Sequence, residues 1–128
     1  MKALLDTHTF LWWNMNDPQL SSKAFEIMVN GRNQIYLSAA SVWEIVIKTA
    51  KGRLILPDTP ATWVPQSMEK NHFSGLPIEI SHSLEVYNLP DYHSDPFDRL
   101  LAAQCRVEKI PLLSADSAFR EYGIDVLW

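Results

Sequence analysis

Apolar residues along the chain fall into two patterns, short unbroken runs and longer stretches with helical spacing, and the two alternate. Met1 to Leu5 is such a run, with Lys2 as its only charge, and reads as a buried parallel strand that stops abruptly at Asp6-Thr7. Phe10, Leu11, Trp12 and Trp13 then predict a short helix capped by Asp6 or Thr7 and broken at Asp17-Pro18. A second helix opens at Ser21 or Ser22 and stops at Asn30-Gly31, and Ile35 to Leu37 is the second strand. Ser41 and Glu44 match a capping box, which starts a third helix that runs through Lys48 to about Lys51-Gly52. After a proline-bounded connection, Ala61 to Asn71 forms a fourth helix, Leu76 to Ile80 holds an edge strand marked by Pro77, and Ser81 to Asn88 is a brief helix. Asp95 and Pro96 next satisfy the rules for a helix start, with Asp98 in the first turn facing the positive end of the dipole. Phe97, Leu100, Leu101, Ala102, Ala103, Cys105 and Val107 leave this helix a narrow polar face, so it should be buried with both acids fixed at its mouth. Pro111 to Leu113, Phe119 to Tyr122 and Ile124 to Leu127 supply a strand, a short helix and a last strand.

This order of elements defines an α/β fold with a mostly parallel central sheet and helices on both faces. At 128 residues, the chain is long enough for one compact domain over 1–128 and too short for two ordinary ones. Right-handed crossovers put every strand-to-helix loop on one edge of such a sheet, where ligands of doubly wound folds bind. Asp6, Glu44 and Asp116 occupy those loops or the turn after them, and Asp98 begins a helix that reaches the same edge. Each acid can be explained as a helix cap. Four caps converging on one crevice repel one another, however, and Arg99 is the only cation within these motifs. An all-oxygen pocket of this kind is what magnesium or manganese prefers.

Charge and composition narrow the chemistry. A formal net charge of -4 argues against broad electrostatic capture of nucleic acid, but acids gathered around cations do not repel a phosphate backbone as their formal sum suggests. One Cys excludes an internal disulfide and a cysteine-rich zinc site and, with no signal peptide or membrane-length apolar run in the sequence, leads us to expect a cytoplasmic protein. Gly31, Gly52, Gly75 and Gly123 form no phosphate-binding loop. A haloacid-dehalogenase-like phosphatase needs a second aspartate two positions after the first, where His8 stands.

Four motifs together, Leu4-Leu5-Asp6-Thr7-His8, Ser41-Val42-Trp43-Glu44-Ile45, Asp95-Pro96-Phe97-Asp98-Arg99-Leu100-Leu101-Ala102-Ala103-Gln104 and Leu113-Ser114-Ala115-Asp116, carry a family resemblance. In this order and at these separations the chain resembles the PIN domain, and within it the VapC-like toxins of bacterial toxin-antitoxin pairs. That resemblance implies a PIN-like fold and a metal-dependent endoribonuclease held inactive by an antitoxin, with Asp6, Glu44, Asp98 and Asp116 matching the family's four acids. It implies Mg2+, or alternatively Mn2+, as cofactor, RNA as substrate, and a homodimer or a toxin-antitoxin hetero-oligomer as the assembly. The family pattern selects Asp98 ahead of the apolar helix and leaves Asp95 as a cap or outer group.

Thr7 and Ser114 are candidates for outer hydrogen bonds to the acids, and Lys48, Lys51 and Arg53 for contact with RNA phosphates or for a solvated helix end. Trp12 and Trp13 are candidates for partner docking, and as neighbours they cannot share one helix face. The four histidines show no ligand spacing and read as surface or packing residues, His93 being the one that could border the site. The rival reading is a catalytically silent PIN-like RNA- or protein-binding module, which the presence of all four acids disfavours.

Overall fold

The computed structural model describes Met1–Trp128. Five short strands, β1 (Lys2–Leu5), β2 (Gln34–Ser38), β3 (Ser74–Leu76), β4 (Leu112–Leu113) and β5 (Val126–Leu127), form one sheet in the order β3-β2-β1-β4-β5. Every pairing is parallel, with Leu4 opposite Tyr36 on one side and Leu112 on the other. Around it lie α1 (Thr7–Met15), α2 (Ser22–Val29), α3 (Ala39–Ala50), α4 (Pro60–Asn71), α5 (Ile80–Glu85) and α6 (Pro96–Glu108), with 3₁₀ turns at Val86–Asn88 and Ser117–Tyr122.

Alternation along β1 divides the core. Leu4 joins Leu112, Val126 and the α6 residues Leu101, Ala102 and Cys105 on one face, whereas Ala3 and Leu5 join Ile35, Leu37, Phe10, Ile45 and Val64 on the other. A parallel sheet covered on both faces thus explains why β1 and β4 read as unbroken apolar runs. Because β2 and β3 extend the sheet to one side of β1 while β4 and β5 extend it to the other, the strand order reverses between β1 and β4, the point at the carboxyl edge where parallel sheets of this kind form their binding crevice.

Two expected elements differ. The third helix begins at Ala39 and is capped by the Ser38 hydroxyl, which accepts from the Ala40 N–H, so Ser41 and Glu44 are not a capping box but lie inside the helix. Strand β3 occupies Ser74–Leu76, ahead of the expected Leu76 to Ile80, because Pro77 has no N–H to continue the ladder and Ile80 already opens α5. No helix is long and apolar enough to cross a membrane.

Candidate functional site

Asp6 sits where β1 ends, as the N-cap of α1, and is buried. One carboxylate oxygen accepts from the Thr7 N–H at 2.7 Å and the other from the Ser114 hydroxyl at 2.7 Å. Ser114 follows β4, and its oxygen in turn accepts from the Asp116 N–H at 3.0 Å, so one serine ties the ends of two neighbouring strands together. Burial, only partly offset by the Ser114 bond, holds the Asp6 carboxyl above the usual carboxylate range.

Glu44 is buried one turn into α3. Its Oε1 lies 2.7 Å from the Thr7 hydroxyl and its Oε2 lies 2.8 Å from Lys48 Nζ, one helical turn on. Thr7 Oγ1 is also 2.9 Å from Ser41 Oγ; since Thr7 has one proton and gives it to the carboxylate, Ser41 is the donor of that contact.

Asp98 stands in the first turn of α6 behind the Asp95 cap, whose side chain accepts from the Phe97 and Asp98 N–H groups at 2.7 and 3.3 Å. Half-buried, the Asp98 carboxylate gains nothing from hydrogen bonds. Burial first, then the charges of Asp6 and Asp95, push it up to about 7, with Glu44 adding to the rise. Asp6, Glu44 and Asp98 therefore face one crevice and feel one another's charge. Arg99, the one cation within the four motifs, turns away and donates to the carbonyls of Pro90, Val86 and Leu89.

Asp116 caps the last 3₁₀ turn, and its carboxylate is turned toward His93 Nε2 at 2.8 Å. Burial alone would raise this group, but the bonds from His93 and the Ala118 N–H outweigh it and hold it below the usual carboxylate range. His93 is fixed from three sides: it bonds Tyr122 Oη at 2.7 Å and stacks on the rings of Phe119 and Tyr122. The sequence marked His93 only as the histidine that could border the site; the groups that hold it lie 23 and 29 residues further on, beyond any local spacing rule. The Glu44–Lys48 pair did leave a signal, the four-residue spacing that joins side chains on a helix.

The donors suit a hard divalent cation in kind, being carboxylates with one of them short of hydrogen bonds. As they stand, no three of the chain's acidic, His or Cys side chains are drawn close enough to ligate one ion. Lys48 engages Glu44 and His93 engages Asp116.

Other expected site residues lie apart or differ in setting. Asp95 is exposed, which corrects the expectation that both acids at the mouth of α6 are fixed against the body of the fold. Lys51 and Arg53 are exposed beyond the far end of α3. Trp12 rests against His8 and Trp128, whereas Trp13 packs on Phe25 and Phe73 and lines a cleft with Leu20 and Lys70, so the two indoles do diverge.

A family model for the PIN domain matches residues 3–125 of this chain. Ribonuclease VapC16 of Mycobacterium tuberculosis is 37% identical over 70 residues, a stretch that spans 52% of this chain and 50% of that protein. Ribonuclease VapC22 of the same organism is 26% identical over 121 residues, spanning 94% of this chain and 91% of that one. Among solved structures, VapBC2 from Rickettsia felis bound to a DNA fragment from its promoter superposes with a TM-score of 0.72 at 12% identity, covering 98% of this chain and 97% of that one.

Proposed function

The chain belongs to the PIN domain family, and from that footing we propose that it is a single-domain, divalent-metal-dependent endoribonuclease, the toxin of a toxin-antitoxin pair, working in the cytoplasm. The observation that carries this reading is Asp98: a carboxylate pushed up to about 7 by burial and by its acidic neighbours, in a crevice at the carboxyl edge of a parallel sheet. Relatives named as ribonucleases, and a structural neighbour that is a toxin-antitoxin complex, support the same reading.

Asp6 and Asp98 are the principal metal ligands in this reading, with Glu44 and Asp116 completing the set, and Mg2+ is the expected ion, with Mn2+ as a substitute. A bound divalent ion supplies charge to a scissile phosphate and lowers the pKa of the attacking water. The chain's own part is orientation. Ser114 and the Thr7 N–H fix both oxygens of Asp6, and the Thr7 hydroxyl holds Glu44, so these acids lose little freedom when an ion enters. The cognate antitoxin is the expected partner. Its aromatic or aliphatic side chains fit near Trp12 and Trp13, and an Arg or Lys from it fits the acid cluster, where Asp6 and Asp98 are left unpaired by the chain's own Arg99.

The test is cleavage of single-stranded RNA by purified chain free of antitoxin, with magnesium and with chelator. Magnesium-dependent cleavage that Asp98→Asn abolishes supports the proposal. A folded chain that binds RNA and cleaves none of it in magnesium or manganese returns the reading to a silent binding module.

A further inference from the structure

Among Asp6, Glu44 and Asp98, Glu44 is the one already held by a lysine of its own chain. Its side chain is 9% exposed and that of Lys48 is 37% exposed, so the pair at 2.8 Å is screened far less than a surface ion pair. Geometry makes it persistent: both residues lie on α3 one turn apart, and the Thr7 hydroxyl fixes the other oxygen of Glu44. The remaining basic side chains do not compete for it, since Arg99 is spent on three carbonyls and Lys51 and Arg53 lie exposed beyond the helix end.

Resting on the metal-dependent reading of this crevice, we infer that Lys48 is an internal counter-cation that competes with the metal for Glu44. In the metal-free chain its ammonium neutralises the buried carboxylate. A divalent ion that uses Glu44 must displace that ammonium or tolerate its repulsion at close range. Lys48 therefore sets the metal concentration at which Glu44 enters the coordination set. A ligand that is free of its competitor for about a tenth of the time lowers the apparent affinity about tenfold. Displacement also moves the ammonium away from Glu44, on the α3 face that continues to the exposed Lys51, so a side chain that otherwise pairs with Glu44 becomes available to an RNA phosphate.

The test measures metal binding and not cleavage. Mn2+ alone is titrated into the parent, Lys48→Met, Lys48→Arg, Glu44→Gln and the Lys48→Met/Glu44→Gln double variant, with free Mn2+ read by electron paramagnetic resonance. Lys48→Met should bind Mn2+ about tenfold more tightly than the parent, Lys48→Arg should not, and in the Glu44→Gln background the same substitution should gain no more than about twofold. Thermal unfolding supplies a second reading. In chelator Lys48→Met should melt below the parent, and magnesium should raise its melting point by more than it raises the parent's. Equal Mn2+ affinity of parent and Lys48→Met, or an equal gain with and without Glu44, overturns the inference and leaves the proposed function standing. Failure of every variant and of the folded parent to bind Mn2+ overturns both.

Discussion

Two polar clusters lie inside this fold, one complete and one not. Beneath α5, Gln104 accepts from the Ser38 hydroxyl at 2.5 Å and donates to the Pro77 carbonyl at 3.2 Å, while the fully buried His82 accepts from the Glu79 N–H at 2.9 Å and pairs through its other nitrogen with Glu108 at 2.9 Å. At the crevice, Asp98 sits half-buried among like charges with no donor aimed at it. Both clusters are made of residues that cost free energy to bury. One recovers that cost within the chain, whereas the other leaves it open to be offset by something that binds. The complete cluster holds β2, α3, α5 and α6 in register; the incomplete one is where chemistry is possible.

The acids of the crevice should be the most sensitive to substitution. Asp6→Asn or Asp98→Asn should lower magnesium-dependent RNA cleavage by at least a hundredfold, roughly 2.7 kcal/mol in the barrier, without loss of the folded state, as measured by cleavage rates and circular dichroism. Gln104→Leu should do the reverse. It strands the Ser38 hydroxyl and the Pro77 carbonyl, so denaturant unfolding should show a loss of about 2 kcal/mol while the acids of the crevice keep their places.

A smaller effect sharpens the contrast through pH. Asp98 has a folded pKa of about 7 against an ordinary 3.8, so its ionisation opposes folding above pH 7, and that opposition fades as pH falls through 7 toward the unfolded value. In chelator at pH 8, Asp98→Asn should therefore be more stable than the parent, by no more than about 1 kcal/mol because the half-open site is screened by solvent, and the difference should vanish near pH 5. Asp116 acts with the opposite sign. Held low by His93, it contributes stability above the ordinary carboxylate value that is lost only as pH falls through its depressed one, a window more acid than that of Asp98. If thermal unfolding finds Asp98→Asn less stable at pH 8, its charge is acting on the helix dipole and not as a strained ligand. The smallest change should come from Asp95→Asn, since asparagine caps a helix as well as aspartate does: under about 0.5 kcal/mol in stability, with near-parental cleavage. Loss of cleavage equal to that of Asp98→Asn would reverse the assignment of the two acids.

Local pattern made much of this legible. An unbroken run ending on Asp6 fixed β1 and the place of the first acid, and Asp95-Pro96 marked the start of α6 to the residue. What stayed hidden was decided at long range. Ser38 rather than Ser41 caps α3 because Gln104, 66 residues away, holds the Ser38 hydroxyl, and a spacing rule that sees four residues cannot register that. What holds His93 beside the site was hidden because its partners, Asp116, Phe119 and Tyr122, all come after α6. Arg99 looked like the partner of Asp98 by adjacency, yet neighbouring positions on a helix point about 100° apart.

The bond from Ser114 to Asp6 joins residues 108 apart in sequence, and β1 gains its β4 edge only when Leu112 and Leu113 arrive. During synthesis β1 is made well ahead of β4, so until β4 follows, the growing chain carries Asp6 with one strand edge unpaired and one carboxylate oxygen unclaimed. The acid crevice is therefore assembled only after β4 has been made, however early Asp6 itself appears.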